Sequence, residues 1–279
     1  MKLAPIQIAL AALIAVSGTT FAQTAAAPAA AAAPAEPVSP LSFNVDLTSN
    51  YKFRGQDQDT SRTSSFKPAL QGGVDYAFAN GFYLGNWNSM VNFLNPDPQN
   101  TTNKRANLEM DFYGGYKWSV GDWGFDLGLL QYYYPNSTKA NVTEGYIGAS
   151  WGPVSAKYSN TLSRGYFGNG IGATGNASDG RGTQYLNIGY SKELIPSWTF
   201  KAAVGQTLFR NAVRSVAANA QNYTDYSLGV SYDFGNSVSL AGYLQGGTNK
   251  NVPAYQYNVG TSVRSINRDT LIVTLMKTF

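Results

Sequence analysis

The sequence predicts an all-β fold, a transmembrane antiparallel up-and-down β-barrel of about twelve strands, and three observations predict it. Apolar and polar side chains alternate in runs of about ten residues, the length a tilted strand needs to cross a bilayer. Short turns and long polar connections alternate along the chain. Four of the five tryptophans stand beside the short turns, where an amphipathic ring favours a membrane–water boundary.

The chain opens on a secretory signal, residues 1–22. Lys2 supplies a positive start, Ile6–Val16 is apolar, and Thr20-Phe21-Ala22 ends on a small residue suited to cleavage before Gln23. Residues 23–40 hold nine Ala and four Pro, too little apolar surface for a core and too much Pro for a long helix, so they read as a flexible segment. Residues 41–279 then form the barrel.

Within it, Phe43, Val45, Leu47, Tyr51 and Phe53 take one face of the first strand, and Asn44, Asp46, Thr48, Asn50, Lys52 and Arg54 the other. Twelve strands are expected at 42–54, 64–78, 82–93, 106–118, 123–134, 143–151, 154–162, 183–192, 198–210, 223–234, 238–246 and 264–279. The outward stripes Leu108/Met110/Phe112/Tyr116/Trp118 and Leu271/Val273/Leu275/Phe279 are the clearest. An even count returns both termini to one side, with the short turns.

Several positions resist the pattern. In the third strand Phe82, Leu84 and Met90 share a face with Asn86, Asn88 and Asn92, which leaves its register open or places apolar groups in the lumen. Pro68 cannot donate to a ladder and belongs near the outer rim. Gly72-Gly73 suggests a bulge. Lys277 falls on the lipid face but close enough to the end for its amine to reach headgroups. Tyr255, Tyr257 and Val259 alternate, as if the last outer loop extended a hairpin.

Composition narrows the function. With no cysteine and no histidine, the chain lacks thiolates, the usual general base and the commonest metal ligand. No catalytic, cofactor-binding or metal residues are assigned, and an enzyme is not expected. Glu109 and Asp111 sit two residues apart on one strand face, close enough to share a cation, though a charge network with Lys52, Arg54 or Lys157 accounts for them more simply. Gly168, Gly170, Gly172 and Gly175 lack the flanking strand and helix of a phosphate loop. Losing Lys2 with the signal takes the formal charge from +4 to +3, too mild to argue for nucleic acid.

A soluble barrel would also alternate, with its apolar face turned inward. The signal, the tryptophan placement and the terminal Phe279 favour the membrane form. Pore-lining candidates are Lys52, Arg54, Asp75, Asn86, Asn88, Glu109, Asp111, Asp126, Glu144, Lys157 and Lys201. Lys67 and Arg268 are further wall cations, and Asp46, Asp225 and Asp233 further wall carboxylates.

In the outer loops Arg62, Lys104, Arg105, Lys139, Arg164, Arg181, Arg210, Arg214, Lys250 and Arg264 face only Asp57, Asp59, Asp97 and Asp179, an excess of +6. That rim would steer anions or bind phosphates of outer-leaflet lipid and lipopolysaccharide.

The stretches Leu47-Thr48-Ser49-Asn50-Tyr51-Lys52-Phe53-Arg54-Gly55, Pro68–Tyr76 and Asn80–Trp87 resemble the opening signature of the TorF-type porins of proteobacterial outer membranes. Gly85-Asn86-Trp87-Asn88-Ser89 is similar to that family's Gly-x-Trp-x-Ser stretch. The resemblance covers about fifty residues and implies an outer-membrane location in a Gram-negative cell and passive transport of small hydrophilic solutes. Phe279 resembles the terminal aromatic through which barrel-assembly machinery recognises its clients. The alternative function is a non-conducting surface barrel with a plugged lumen and adhesive or lipid-binding loops, for which Phe82, Leu84 and Met90 would fill the interior.

Overall fold

The computed structural model describes residues 39–92, 107–135, 137, 140–167, 179–210, 213 and 221–279. The expected signal, residues 23–38, the glycine loop at 168–175 and the rim residues Lys104, Arg105, Lys139, Arg214 and Asp97 lie outside the described residues.

Sixteen strands follow in chain order. They are β1 (Leu41–Thr48), β2 (Lys52–Phe53), β3 (Gln56–Asp57), β4 (Ala69–Ala77), β5 (Phe82–Met90), β6 (Leu108–Val120), β7 (Trp123–Tyr133), β8 (Val142–Trp151), β9 (Val154–Thr161), β10 (Gln184–Ile195), β11 (Trp198–Leu208), β12 (Tyr223–Gly235), β13 (Val238–Gly247), β14 (Gln256–Val259), β15 (Ser262–Ser265) and β16 (Thr270–Thr278). Twelve of them close into one antiparallel barrel in the order β1-β16-β13-β12-β11-β10-β9-β8-β7-β6-β5-β4, with β4 returning to β1. Closure leaves no strand edge, so the main-chain groups of the wall find partners within the ring, as a lipid environment demands.

The start of the first barrel strand and the end of the last meet at one end, where Phe43 and Phe279 exchange backbone hydrogen bonds at 2.9 and 3.2 Å. The five short turns lie at that end too. Gly81, Gly121 and Gly152 take positive φ there, and Ser197, Asn236 and Ser237 do the same without being glycine. Pro40 is already tied to the barrel, its carbonyl accepting from Ala77 N at 2.8 Å.

The pleat sorts the side chains. On β1, Phe43, Val45 and Leu47 are about half exposed on the outer face, while Asp46 and Thr48 are buried inside. An aromatic band runs along the turn end as Phe82, Tyr116, Trp118, Phe125, Trp123 and Trp151, successive centroids 4.9–6.4 Å apart. Trp198, Tyr232 and Phe234 continue it. This is the girdle expected at a bilayer interface. Lys277 is on the outer face, its amine bonded to the Asn236 carbonyl in the neighbouring turn.

Four expectations change. The first strand ends at Thr48, not at residue 54, because the chain turns into the lumen after Asn50. The second begins after Pro68, whose missing N–H cannot join the ladder. No bulge occurs at Gly72-Gly73, where register with β1 and β5 is unbroken. The register shifts fall instead at Glu193/Ile195 and Asp233/Gly235, beside tight turns. The last strand starts at Thr270, because the residues before it form the β14–β15 hairpin that the alternation at Tyr255–Val259 suggested.

Candidate functional site in the barrel lumen

Residues Tyr51–Gln58 leave the wall and fold inward as a small hairpin of β2 against β3. Its tip uses Arg54 at φ 47° and Gly55 at φ 76°, the left-handed region that glycine tolerates best. A Cβ on Gly55 would stand 2.5 Å from the Gly246 carbonyl and 2.7 Å from Asp225 Cβ, so the tip touches the wall at β12 and β13. Arg54 reaches the other way, to Glu144 on β8, five strands around the ring from β1. The hairpin therefore spans the lumen.

One carboxylate anchors it. Asp57 lies 2.9 Å from Lys52, 3.2 Å from Lys67 and 2.9 Å from Arg268, and its two lysine partners have fully buried side chains. Main-chain oxygens share the surplus positive charge: Lys52 donates to the Gly55 and Ile266 carbonyls, and Arg268 to those of Thr63 and Ser64. Lys67 also donates to the Tyr257 hydroxyl at 2.9 Å. These contacts stitch the first outer loop to the last one.

At the tip, Arg54 Nη2 donates to both oxygens of Glu144 at 2.9 and 2.7 Å. Its guanidinium also lies 4.1 Å from the Tyr185 ring centroid and 4.7 Å from that of Phe53. Charge assistance and ring stacking suit arginine better than lysine here.

Aromatic side chains fill the space beside the hairpin. Tyr51 packs edge-on against Trp87, and Phe53 against Tyr132 and Phe167. Tyr132 and Tyr134 have no exposed surface. Their hydroxyls find carboxylates: Tyr51 and Tyr134 donate to Glu109, and Tyr132 to Glu144. Toward the turns the inner wall sets tyrosines against charged groups. There Tyr83 donates to Asp126 at 2.7 Å, Tyr113 donates to Asp75, and the Lys117 and Lys157 amines stand over the Tyr83 and Tyr146 rings at 4.6 and 3.8 Å. Buried aromatic side chains thus fill the lumen at the level of the hairpin, and tyrosines paired with charged groups line it toward the turns.

The predicted pore residues divide into three groups. Asp75, Glu109, Asp111, Asp126, Glu144, Lys157 and Lys201 lie on inward faces of strands. Lys52 and Arg54 also face the interior, but from the hairpin rather than the wall. Tyr51 and Phe53, expected on the lipid side, are carried inside with them. Asn86 and Asn88 are on the outer face. In β5 it is Tyr83, Trp87 and Ser89 that are buried inside, while Phe82, Leu84 and Met90 are exposed outside. Phe82, Leu84 and Met90 therefore do not plug the lumen. The reason lies outside the strand: Trp87 packs against Tyr51 of the inserted hairpin, a contact that β5 alone does not disclose.

Asp57, read as a rim residue, is the buried centre of the hairpin anchor. Lys67 and Arg268, read as wall cations, are its partners. At the rim itself Asp269, exposed, pairs with Lys250 at 2.6 Å, so the exchange of Asp269 for Asp57 leaves the formal count unchanged. Hydrogen bonds from Arg181 hold the exposed Asp179 carboxyl down to about 2. Glu109 is occupied by two tyrosine hydroxyls, and among the described residues no three potential metal ligands converge.

A closed ring of twelve antiparallel strands with an apolar girdled exterior, a charged interior and an inward-folded loop defines a β-barrel of porin-like architecture. The chain belongs to the family described as "Bacterial protein of unknown function (Gcw_chp)", whose model matches residues 31–279. No curated protein matches it significantly. Among solved structures it is similar to the NanC porin, at 12% identity and TM-score 0.52 over 85% of this chain and 98% of that one. It is also similar to the KdgM porin, at 10% identity and TM-score 0.48 over 86% of this chain and 98% of that one. The likeness to NanC is one of fold.

Proposed function

We propose that the chain is an outer-membrane channel for passive diffusion of small hydrophilic solutes, delivered by a cleaved signal at residues 1–22. One observation carries the reading: the apolar face of a closed barrel is outside and its charged face is inside, which suits lipid around and water within. A barrel of this strand number leaves a narrow lumen, and the hairpin narrows it further. Selectivity is weak and leans toward anions at low salt, because wall charges are mixed and the rim is basic. The TorF-type resemblance of residues 47–89 falls within the matched family span and supports the same reading. No catalytic role, cofactor or nucleic-acid partner is invoked. The partners are outer-membrane lipid and lipopolysaccharide, the solutes, and barrel-assembly machinery engaged through Phe279.

The second reading is a non-conducting surface barrel, favoured by the full burial of Lys52, Tyr132 and Tyr134 around the hairpin. Single-channel recording in planar bilayers separates the two. Folded barrel should fractionate with the outer membrane, migrate differently before and after boiling, and conduct. Folded protein with no conductance above the bare bilayer, in the wild type and in hairpin-releasing variants alike, would leave only the plugged reading.

A further inference from the structure

Asn86 and Asn88 stand where a lipid-facing strand should be apolar. They are the fifth and seventh of the nine residues of β5, between Leu84 and Met90 on the outer face, well away from either end. Their cross-strand neighbours on that face are Val74 and Gly72 of β4 and Phe112 and Met110 of β6. Neither amide is idle within the chain. Asn86 Nδ2 donates to the Asp111 carbonyl at 3.0 Å, and Asn88 Nδ2 donates to Asn86 Oδ1 at 2.6 Å and, at 3.4 Å, to the Gly72 carbonyl. Asn88 Oδ1, however, accepts no hydrogen bond among the described residues. On a lipid-facing wall hydrocarbon offers it no donor.

A protein surface can supply the donor, and the side chain itself suggests which one. A primary amide carries an acceptor and two donors, so it complements its own copy across a twofold axis. The wall around it allows close approach. Gly72 and Gly114 put no side chain on the outer face beside the pair. An apolar groove of about 1010 Å³ runs on from there, lined by Leu84, Gly114, Leu127, Leu129 and Ile147. We propose that the outer face of β4–β8 is a dimer interface between two copies of this chain in the membrane, with Asn88 paired near the axis and the groove receiving apolar side chains of the partner. An acyl chain could occupy the groove but could not satisfy the amide.

The inference rests on the bilayer placement of the barrel, and the test keeps the two apart. The chain has no cysteine, so a single one reports its own position. Met110→Cys, beside Asn88, and Val230→Cys, outward on β12 across the barrel, would each be treated with a short bismaleimide in outer-membrane vesicles. Dimer-sized product from Met110→Cys should exceed that from Val230→Cys by roughly tenfold. Adding Asn86→Leu and Asn88→Leu should remove most of it while the difference in mobility between boiled and unboiled samples persists, since a membrane-embedded polar contact is worth about a tenfold change in association. Equal cross-linking at both sites, no loss in the leucine variant, or a folded monomer carrying only lipid by native mass spectrometry would each overturn the dimer. Recovery of the chain in the soluble fraction would defeat the membrane placement itself.

Discussion

Arg54 Nη2 lies 2.7 Å from Glu144 Oε2, and this contact joins the tip of a loop that begins at β1 to a strand nearly opposite in the ring. Both side chains are almost fully buried, at 5% and 2% exposure. A buried pair of this kind offers little net stability over apolar packing, but losing one partner strands the other charge. It makes the hairpin's crossing of the lumen depend on two residues.

Breaking that pair should loosen the hairpin. Arg54→Ala leaves Glu144 with its Tyr132 donor. Glu144→Gln leaves a guanidinium that cannot shed its charge. Both should raise single-channel conductance, and Glu144→Gln should cost more stability, on the order of 3 kcal/mol in denaturant unfolding of the detergent-solubilised barrel. Unchanged conductance in both variants would mean that the hairpin does not limit passage.

Asp57→Asn removes the carboxylate that Lys52, Lys67 and Arg268 share, leaving three cations within a few ångströms of a neutral amide. Repulsion should expel the hairpin toward the outer opening. Trypsin should cut the wild-type folded barrel after exposed residues such as Arg62, whose side chain is 58% accessible, but not after the buried Lys52 and Arg54. In the variant, cleavage after Lys52 or Arg54 should appear by mass spectrometry. An identical digest for both proteins would show that Asp57 is not the anchor.

Deleting Phe279, or changing it to Ser, should lower the amount of folded barrel in cells. The residue is 69% exposed, and its backbone closes the ring against Phe43. Because the Ser variant keeps that backbone pairing, a loss in both variants would point to recognition of the ring rather than to closure. Phe209→Ser, outside the barrel strands, should matter less. Equal folded yield for the wild type and the deletion, read from unboiled gels, would remove the role.

Neutralising Arg62, Lys104, Arg105 and Arg214 together should shift the reversal potential toward cation preference without closing the channel. The bias should fade as salt rises, because screening acts over about 10 Å at 0.1 M. Neutralising Lys52 and Arg54 should instead change conductance, since both sit in the lumen-crossing hairpin. A reversal potential that ignores the four rim charges would assign them to lipid phosphates alone.

The sequence by itself determined the barrel, the strand number and the side on which the turns lie. Period-2 alternation and turn chemistry are local properties, and a lipid surround makes them strict along most of the wall: the stripes from Leu108 to Trp118 and from Leu271 to Phe279 are where the alternation puts them. Tertiary structure decided what happens inside. Tyr51–Arg54 continue the alternation of β1, so nothing local says that they leave the wall; their place depends on Glu144, which bonds Arg54 from 90 residues away, and on Lys67 and Arg268, which hold Asp57 from 10 and 211 residues away. The facing of β5 was decided in the same way. Its two faces carry comparable apolar character, and only the packing of Trp87 against Tyr51 of the inserted hairpin settles which one turns inward and which leaves Asn86 and Asn88 to the membrane.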